Sequence, residues 1–176
     1  MNSPPTDPIS RLSLCRSQSP APSPQEPILV SACLLGLATR YDGTSKHNAA
    51  VSAWLERERL LPIPVCPEQL AGLPTPRERT RFTCGDGTAV LAGAGTVASF
   101  AGQPMNEPFL HGARETLRVA QLTGCRRALL KERSPSCGVH QVHCGEGMVP
   151  GMGVAAALLV SAGITVLSEV DLLPAG

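Results

Sequence analysis

"PILVSACLLGLATRYDGTSKHNAAVSAWLERERLLPIPVC", residues 27–66, is the stretch whose reading decides the architecture. Its opening, "PILVSAC", is continuously apolar, as a strand buried on both faces must be. "HNAAVSAWLERERL" (47–60) then places Val51, Trp54, Leu55 and Leu60 near helical spacing, and "LLPIPVC" (60–66) returns to an apolar strand. Strand, helix, strand predicts a parallel βαβ unit, because two parallel strands need a crossover connection between them.

The same alternation continues toward the carboxyl end. "MNEPFLHGARETLRVAQLTGC" (105–125) predicts a helix: Asn106 as N-cap, Pro108 in the opening turn, a stripe of Leu110, Ala113, Leu117 and Ala120, and Gly124 as the stop. A strand in "RRALLK" (126–131), a helix in "GVAAALLVSAG" (153–163) and a last strand in "ITVLSE" (164–169) follow. Between them, "TRFTCGDGTAVLAGAG" (80–95) reads as a hairpin or loop excursion with Gly85, Asp86 and Gly87 at its turn. The expected fold is α/β: a single doubly wound, mostly parallel, Rossmann-like sheet with helices on both faces, built from residues 27–176. Residues 1–26 repeat proline and serine with few large apolar side chains, so a disordered tail is expected there, with Cys15 incidental.

The 176 residues, 43% hydrophobic, suit one globular domain, and the formal net charge of +1 shows no excess of basic charge that would point to a nucleic acid polymer. Thirteen arginines stand against two lysines, Lys46 and Lys131. The seven cysteines are an odd number with nothing resembling a secretory signal, so a reducing, cytoplasmic setting is expected. The longest apolar run, 154–160, is far short of the roughly 20 residues that span a bilayer. Oligomeric state is left open.

Three of the cysteines stand out by position. Cys33 ends the first strand, Cys66 ends the second, and Cys137 in "LLKERSPSCG" (129–138) follows the strand of 126–131 by a short loop. Parallel strands bring their carboxyl ends to one edge, where open α/β sheets bind ligands, so three thiols distant in sequence are expected to meet there. Core filling by small buried cysteines is the competing explanation. Three thiolates could hold three corners of an iron-sulfur cube and leave a fourth iron open. Structural zinc favours four ligands in closely spaced pairs, and no CxxC is present, although a catalytic zinc with three cysteine ligands stays open.

"VSACLLGLATRYDG" (30–43), "LPIPVCPEQLAGLPTPR" (61–77), "LLKERSPSCG" and "GMGVAAALLVSAGITVLSE" (151–169) resemble, in that order, the blocks of the thiouracil desulfurase (TudS-like) family, over about residues 27–170. The resemblance implies a 4Fe-4S cluster on Cys33, Cys66 and Cys137, with one open iron that takes sulfur from a thiolated pyrimidine. It further implies replacement of the thiocarbonyl sulfur of a uracil base, nucleoside or nucleotide by oxygen, without net redox change. Such a reaction needs a base for water, and Glu68, two residues after Cys66, is preferred to Asp42 in "RYDG". Each has a plainer role open to it: helix cap for Glu68, turn residue for Asp42. Ser134 could hydrogen-bond substrate or cluster sulfur, or cap the loop before Pro135. Lys131, Arg77 and Lys46 are candidates to orient a phosphate or a base carbonyl. His47, His111, His140 and His143 show no repeated ligand spacing, and Cys84, Cys125 and Cys144 are expected to be structural or incidental. A zinc-dependent hydrolase and a nonenzymatic nucleotide-binding module are the rival functions.

Overall fold

In the computed structural model of the chain, residues 25–172 are described. The strands are β1 (Glu26–Ser31), β2 (Leu60–Val65), β3 (Thr80–Cys84), β4 (Thr96–Ser99), β5 (Arg127–Leu130), β6 (Gln141–Cys144), β7 (Gly147–Pro150) and β8 (Thr165–Ser168). The α-helices are α1 (Ala49–Arg57), α2 (Pro67–Leu70), α3 (Gly87–Leu91), α4 (Asn106–Thr123) and α5 (Val154–Ser161). The tail expected over 1–26, with Cys15, lies outside the described residues except for Gln25 and Glu26. Glu26 already belongs to β1, where its carboxylate pairs with Arg127 at 3.0 Å.

β1 and β2 pair in parallel from Glu26↔Leu60 to Ser31↔Val65, with α1 as the crossover. β5 joins the other side of β1, and β8 joins β5, giving a wholly parallel sheet in the order β2-β1-β5-β8. Strand side chains alternate between faces. Ile28, Val30 and Leu129 therefore pack with Val51 and Leu55 of α1, while Leu29, Ala128 and Leu130 pack with Ala120 of α4 and Ala156 and Leu159 of α5. Both faces of the central strands β1 and β5 are covered, which is why their buried stretches, Ile28–Val30 and Ala128–Leu130, are apolar.

The expectation of one sheet is corrected. A second four-stranded sheet has the order β4-β3-β6-β7, antiparallel except for β3 against β6. The hairpin or loop excursion expected at 80–95 is instead β3 followed by α3, and the antiparallel partner β4 comes after that helix. Gly85 to Gly87 are thus no hairpin turn: Asp86 caps α3, its Oδ1 accepting the Ala89 amide at 3.0 Å, and its Oδ2 takes the Met152 amide at 3.0 Å ahead of α5. Phe82, Val97 and Val142 of the second sheet pack on Phe109 and Ala113 of α4 and Val154 and Ala155 of α5. Both helices therefore serve two cores, and α5 is apolar all round because no side of it is left to solvent over most of its length.

α4 differs from expectation in detail. Its buried positions are Phe109, Gly112, Ala113, Thr116 and Ala120, with Leu110 and Leu117 only half-buried. Asn106 is the first helical residue rather than the cap. Its side chain accepts the Val97 amide at 2.8 Å and donates to the Gly95 carbonyl at 2.9 Å, tying the helix to β4. Gly124 ends the helix in the left-handed conformation at φ 70°, as expected.

Candidate active site

The parallel sheet reverses its winding at β1, with β2 on one side and β5 on the other, and the chain diverges at the carboxyl ends of these strands. β1 runs into a 3-10 turn, Ala32–Leu35, that carries Cys33. β2 ends just before Cys66, which opens α2 ahead of Pro67. β5 leads into the loop of residues 131–138 that carries Cys137. All three cysteines line one cavity of about 280 Å³, together with Glu68 and Ser134. Asp42 is not part of that lining.

Two glycines bring backbone against these loops. A Cβ at Gly112 would lie 2.1 Å from the Pro67 carbonyl oxygen, so α2 rests directly on α4 there. A Cβ at Gly153 would lie 2.4 Å from the Ser136 carbonyl carbon and 2.6 Å from the Cys137 nitrogen. Gly153→Ala is expected to destabilise the chain by about 1–3 kcal/mol through overpacking. Gly147→Ala, whose Cβ would meet nothing within 4 Å, should leave the urea midpoint nearly unchanged. Equal midpoints for the two variants would refute the close approach.

Cys33 and Cys137 are buried and Cys66 is partly exposed. Burial pushes the Cys33 thiol up to about 11, with the neighbouring Cys66 adding to it and Lys131 and Arg40 acting the other way. Burial also pushes Cys137 well above its ordinary value, reinforced by Cys66 and opposed by the Ser31 hydroxyl. Burial thus disfavours the thiolate form at Cys33 and Cys137, a cost that a bound cationic centre would offset. Among the described residues, no three His, Cys, Asp or Glu side chains converge closely enough to hold a single metal ion. Cys33, Cys66 and Cys137 nonetheless line one cavity, and thiol donors are the chemistry that soft iron sites take.

Glu68 is nearly buried and both of its carboxylate oxygens are engaged. Oε2 pairs with Arg77 Nε at 2.6 Å, and Oε1 accepts the Ser136 hydroxyl at 3.1 Å. Ser134 Oγ accepts the amides of Ser136 and Cys137, both at 3.2 Å, which shapes the turn before Cys137 and leaves its own hydroxyl proton to donate. Asp42 is occupied elsewhere. Arg40 at 3.1 Å and the Thr44 hydroxyl at 2.6 Å hold its carboxyl well below the usual carboxylate range. Lys131 is committed to an ion pair with Glu169 and to the Glu132 carbonyl at 3.1 Å, and Lys46 lines the cavity.

Several contributors escaped the sequence reading. Glu132 is buried and accepts the amides of Val139, His140 and Gln141 at 3.3, 3.2 and 2.8 Å. Burial opposes its ionisation, but hydrogen bonds from the Gln141 amide, the Ser168 hydroxyl and the His140 and Arg133 amides together hold its carboxyl below the ordinary range. The signal was present, since an acidic residue within "LLKERSPSCG" has amides to accept. Next to it, Arg133 takes a left-handed φ of 63°, a conformation costly for a side chain with a Cβ and one concentrated at functional loops. Arg40 and Arg79 flank the Tyr41 ring at 5.3 and 5.4 Å from its centroid, and both reach the cavity. His143 also lines it, and burial together with Arg79 and Arg133 keeps its imidazole below its ordinary value. Cys84, Cys125 and Cys144 lie outside the cavity lining. No described helix is long and apolar enough to cross a membrane.

Comparison with known proteins agrees on one family. The sequence model of the 2-thiouracil desulfurases matches residues 28–171. The chain is 36% identical over 148 residues to the uncharacterized protein YbbK of Bacillus subtilis (strain 168), covering 82% of this chain and 97% of that protein. The solved structure of a 4Fe-4S-dependent thiouracil desulfidase, TudS, superposes with a TM-score of 0.71 at 39% identity, covering 85% of this chain and 94% of the other. With a family match spanning both sheets and all three cysteine loops, the chain belongs to the 2-thiouracil desulfurase family.

Proposed function

We propose that the chain is an iron-sulfur-dependent desulfurase that exchanges the thiocarbonyl sulfur of a thiolated uracil base, nucleoside or nucleotide for oxygen. The balance is one water consumed and one hydrogen sulfide released, with no electron gained or lost. The observation that carries this reading is the placing of Cys33, Cys66 and Cys137, from three strand ends, around one cavity that also holds Glu68. These three residues would hold a 4Fe-4S cluster with one iron free of protein ligands. When bound, the cluster supplies a soft Lewis acid that favours a thiocarbonyl sulfur and polarises its carbon.

The protein's own groups supply the rest. Glu68 takes a proton from the water that adds to the polarised carbon, held in place by Arg77 and Ser136. Ser134 donates its remaining hydroxyl proton into the cavity, toward substrate or sulfide. Lys46, Arg40, Arg79 and Arg133, all lining the cavity, hold the substrate's carbonyl oxygen or an attached anionic group. Asp42 serves the geometry of the Arg40 loop instead of the proton transfer, because it lies outside the cavity lining and its carboxylate closes on Arg40 and Thr44 within its own turn.

Protein purified without oxygen should be brown, contain iron with acid-labile sulfide, and release sulfide from 2-thiouracil or 4-thiouracil. A colourless protein that carries stoichiometric zinc and takes up no iron on reconstitution would replace this reading with a zinc hydrolase. A cluster-loaded protein that binds thiolated uracils without turnover would replace it with a binding module.

A further inference from the structure

Arg77 is a cation in a loop, yet its side chain is only 7% exposed. A guanidinium has five N–H donors. Here Nε donates to Glu68 Oε2 at 2.6 Å, Nη1 to the Pro74 carbonyl at 3.3 Å and the Thr75 hydroxyl at 3.1 Å, and Nη2 to the Thr39 carbonyl at 3.1 Å. The remaining direction of Nη2 faces Cys66 Sγ at 4.0 Å. Every donor is therefore committed to protein, which leaves none for a substrate phosphate. The Cys66 thiol itself points at the Thr39 carbonyl, at 3.7 Å. If that sulfur becomes a thiolate ligand, it has no proton to give and Arg77 is its one neighbouring cationic donor among the hydrogen bonds described.

We infer that Arg77 is the positioning residue of the site: it fixes the Glu68 carboxylate and supplies the charged N–H that faces the Cys66 sulfur, joining the proposed base to the proposed cluster ligand through one rigid group. The inference rests on the desulfurase reading given above. The planar fork is essential to it, because one ammonium cannot serve Glu68, Thr39 and Cys66 in their separate directions. Ser136 holds the other Glu68 oxygen, so the carboxylate is clamped from two loops, and the Arg77 side is the one that also reaches a cysteine.

The test uses the full chain loaded with its cluster, with kcat counted per cluster and the thiouracil isomer it turns over faster as probe. Arg77→Lys should retain the cluster, keep KM within about twofold and lower kcat by about 10–100-fold, the range of an orienting partner. In a Glu68→Gln background the same substitution should cost less than about threefold, because the group it acts through is already disabled. Independently of substrate, Arg77→Met should shift the reduction potential of the cluster to a lower value, with Arg77→Lys between it and the native chain, because charge and hydrogen bonds at the sulfurs set that potential. Losses that simply multiply in the double variant, a loss confined to KM, or an unchanged potential in both variants would each overturn the inference. If Arg77→Met fails to fold, Arg77→Lys carries both measurements. A native protein that loads its cluster but releases no sulfide defeats the desulfurase reading, while the potential still decides the Arg77–Cys66 contact.

Discussion

Replacing Cys33, Cys66 or Cys137 by serine is expected to remove bound iron and sulfide release together. The hydroxyl is a harder and far less acidic donor than the thiol, so it does not substitute for a thiolate on iron. The loss should exceed the ~10–100-fold typical of a residue that only orients a ligand. Cys125→Ser is the matched control, because Cys125 is as buried as Cys137 but lies outside the cavity. Its cost should appear in stability, with iron per folded chain unchanged. Cys15→Ser should affect neither. Iron and acid-labile sulfide measured after anaerobic reconstitution, beside turnover, decide the matter, and a fully loaded, active Cys66→Ser protein would remove Cys66 from the ligand set.

Glu68→Gln is expected to keep the cluster spectrum while slowing turnover by about 10²–10⁴-fold, the usual contribution of a positioned base. Glutamine retains the size and an oxygen for Arg77, and its amide can still meet Ser136, so the loop geometry survives. What disappears is the ability to take a proton near neutral pH. Asp42→Asn should leave turnover near normal, since the Asp42 carboxylate faces Arg40 and Thr44. Ser134→Ala is expected to fall between them, because it removes two amide acceptor contacts as well as a hydroxyl donor. Sulfide release normalised to iron, measured side by side, separates the three. Normal rates in Glu68→Gln with a large loss in Asp42→Asn would move the base role to Asp42.

The parallel half of the molecule was legible because its signals are local. "ILV" in β1 and "ALL" in β5 are apolar without interruption and buried, as strands covered by helices on both faces require, and "LLPIPVC" is apolar throughout although its edge strand leaves Leu61 and Pro64 exposed. Placing the three cysteines at strand ends needed only those three strands. The second sheet was not legible. β6 and β7 have four residues each, with Val142 the only one of the eight that is fully buried, so neither carries a period to read. β6 also takes its parallel partner through Phe82↔Cys144, across 62 positions of chain.

The sequence by itself determined the βαβ core and the edge where Cys33, Cys66 and Cys137 are displayed, because strand burial and parallel order follow from apolar runs and from the helices between them. Only the tertiary structure decided which of the two carboxylates enters the cavity. Glu68 and Asp42 look alike in their local contexts, yet Glu68 is met by Arg77 from nine residues away and Ser136 from 68 away, whereas Asp42 closes on Arg40 and Thr44 within its own turn. The same holds for Arg77 itself, a loop cation by composition that is buried because the Thr39 carbonyl, 38 residues earlier, and the Glu68 carboxylate offer it acceptors. A charge can leave water only where partners converge on it from separate segments, and that convergence is a property of the fold, not of any short stretch.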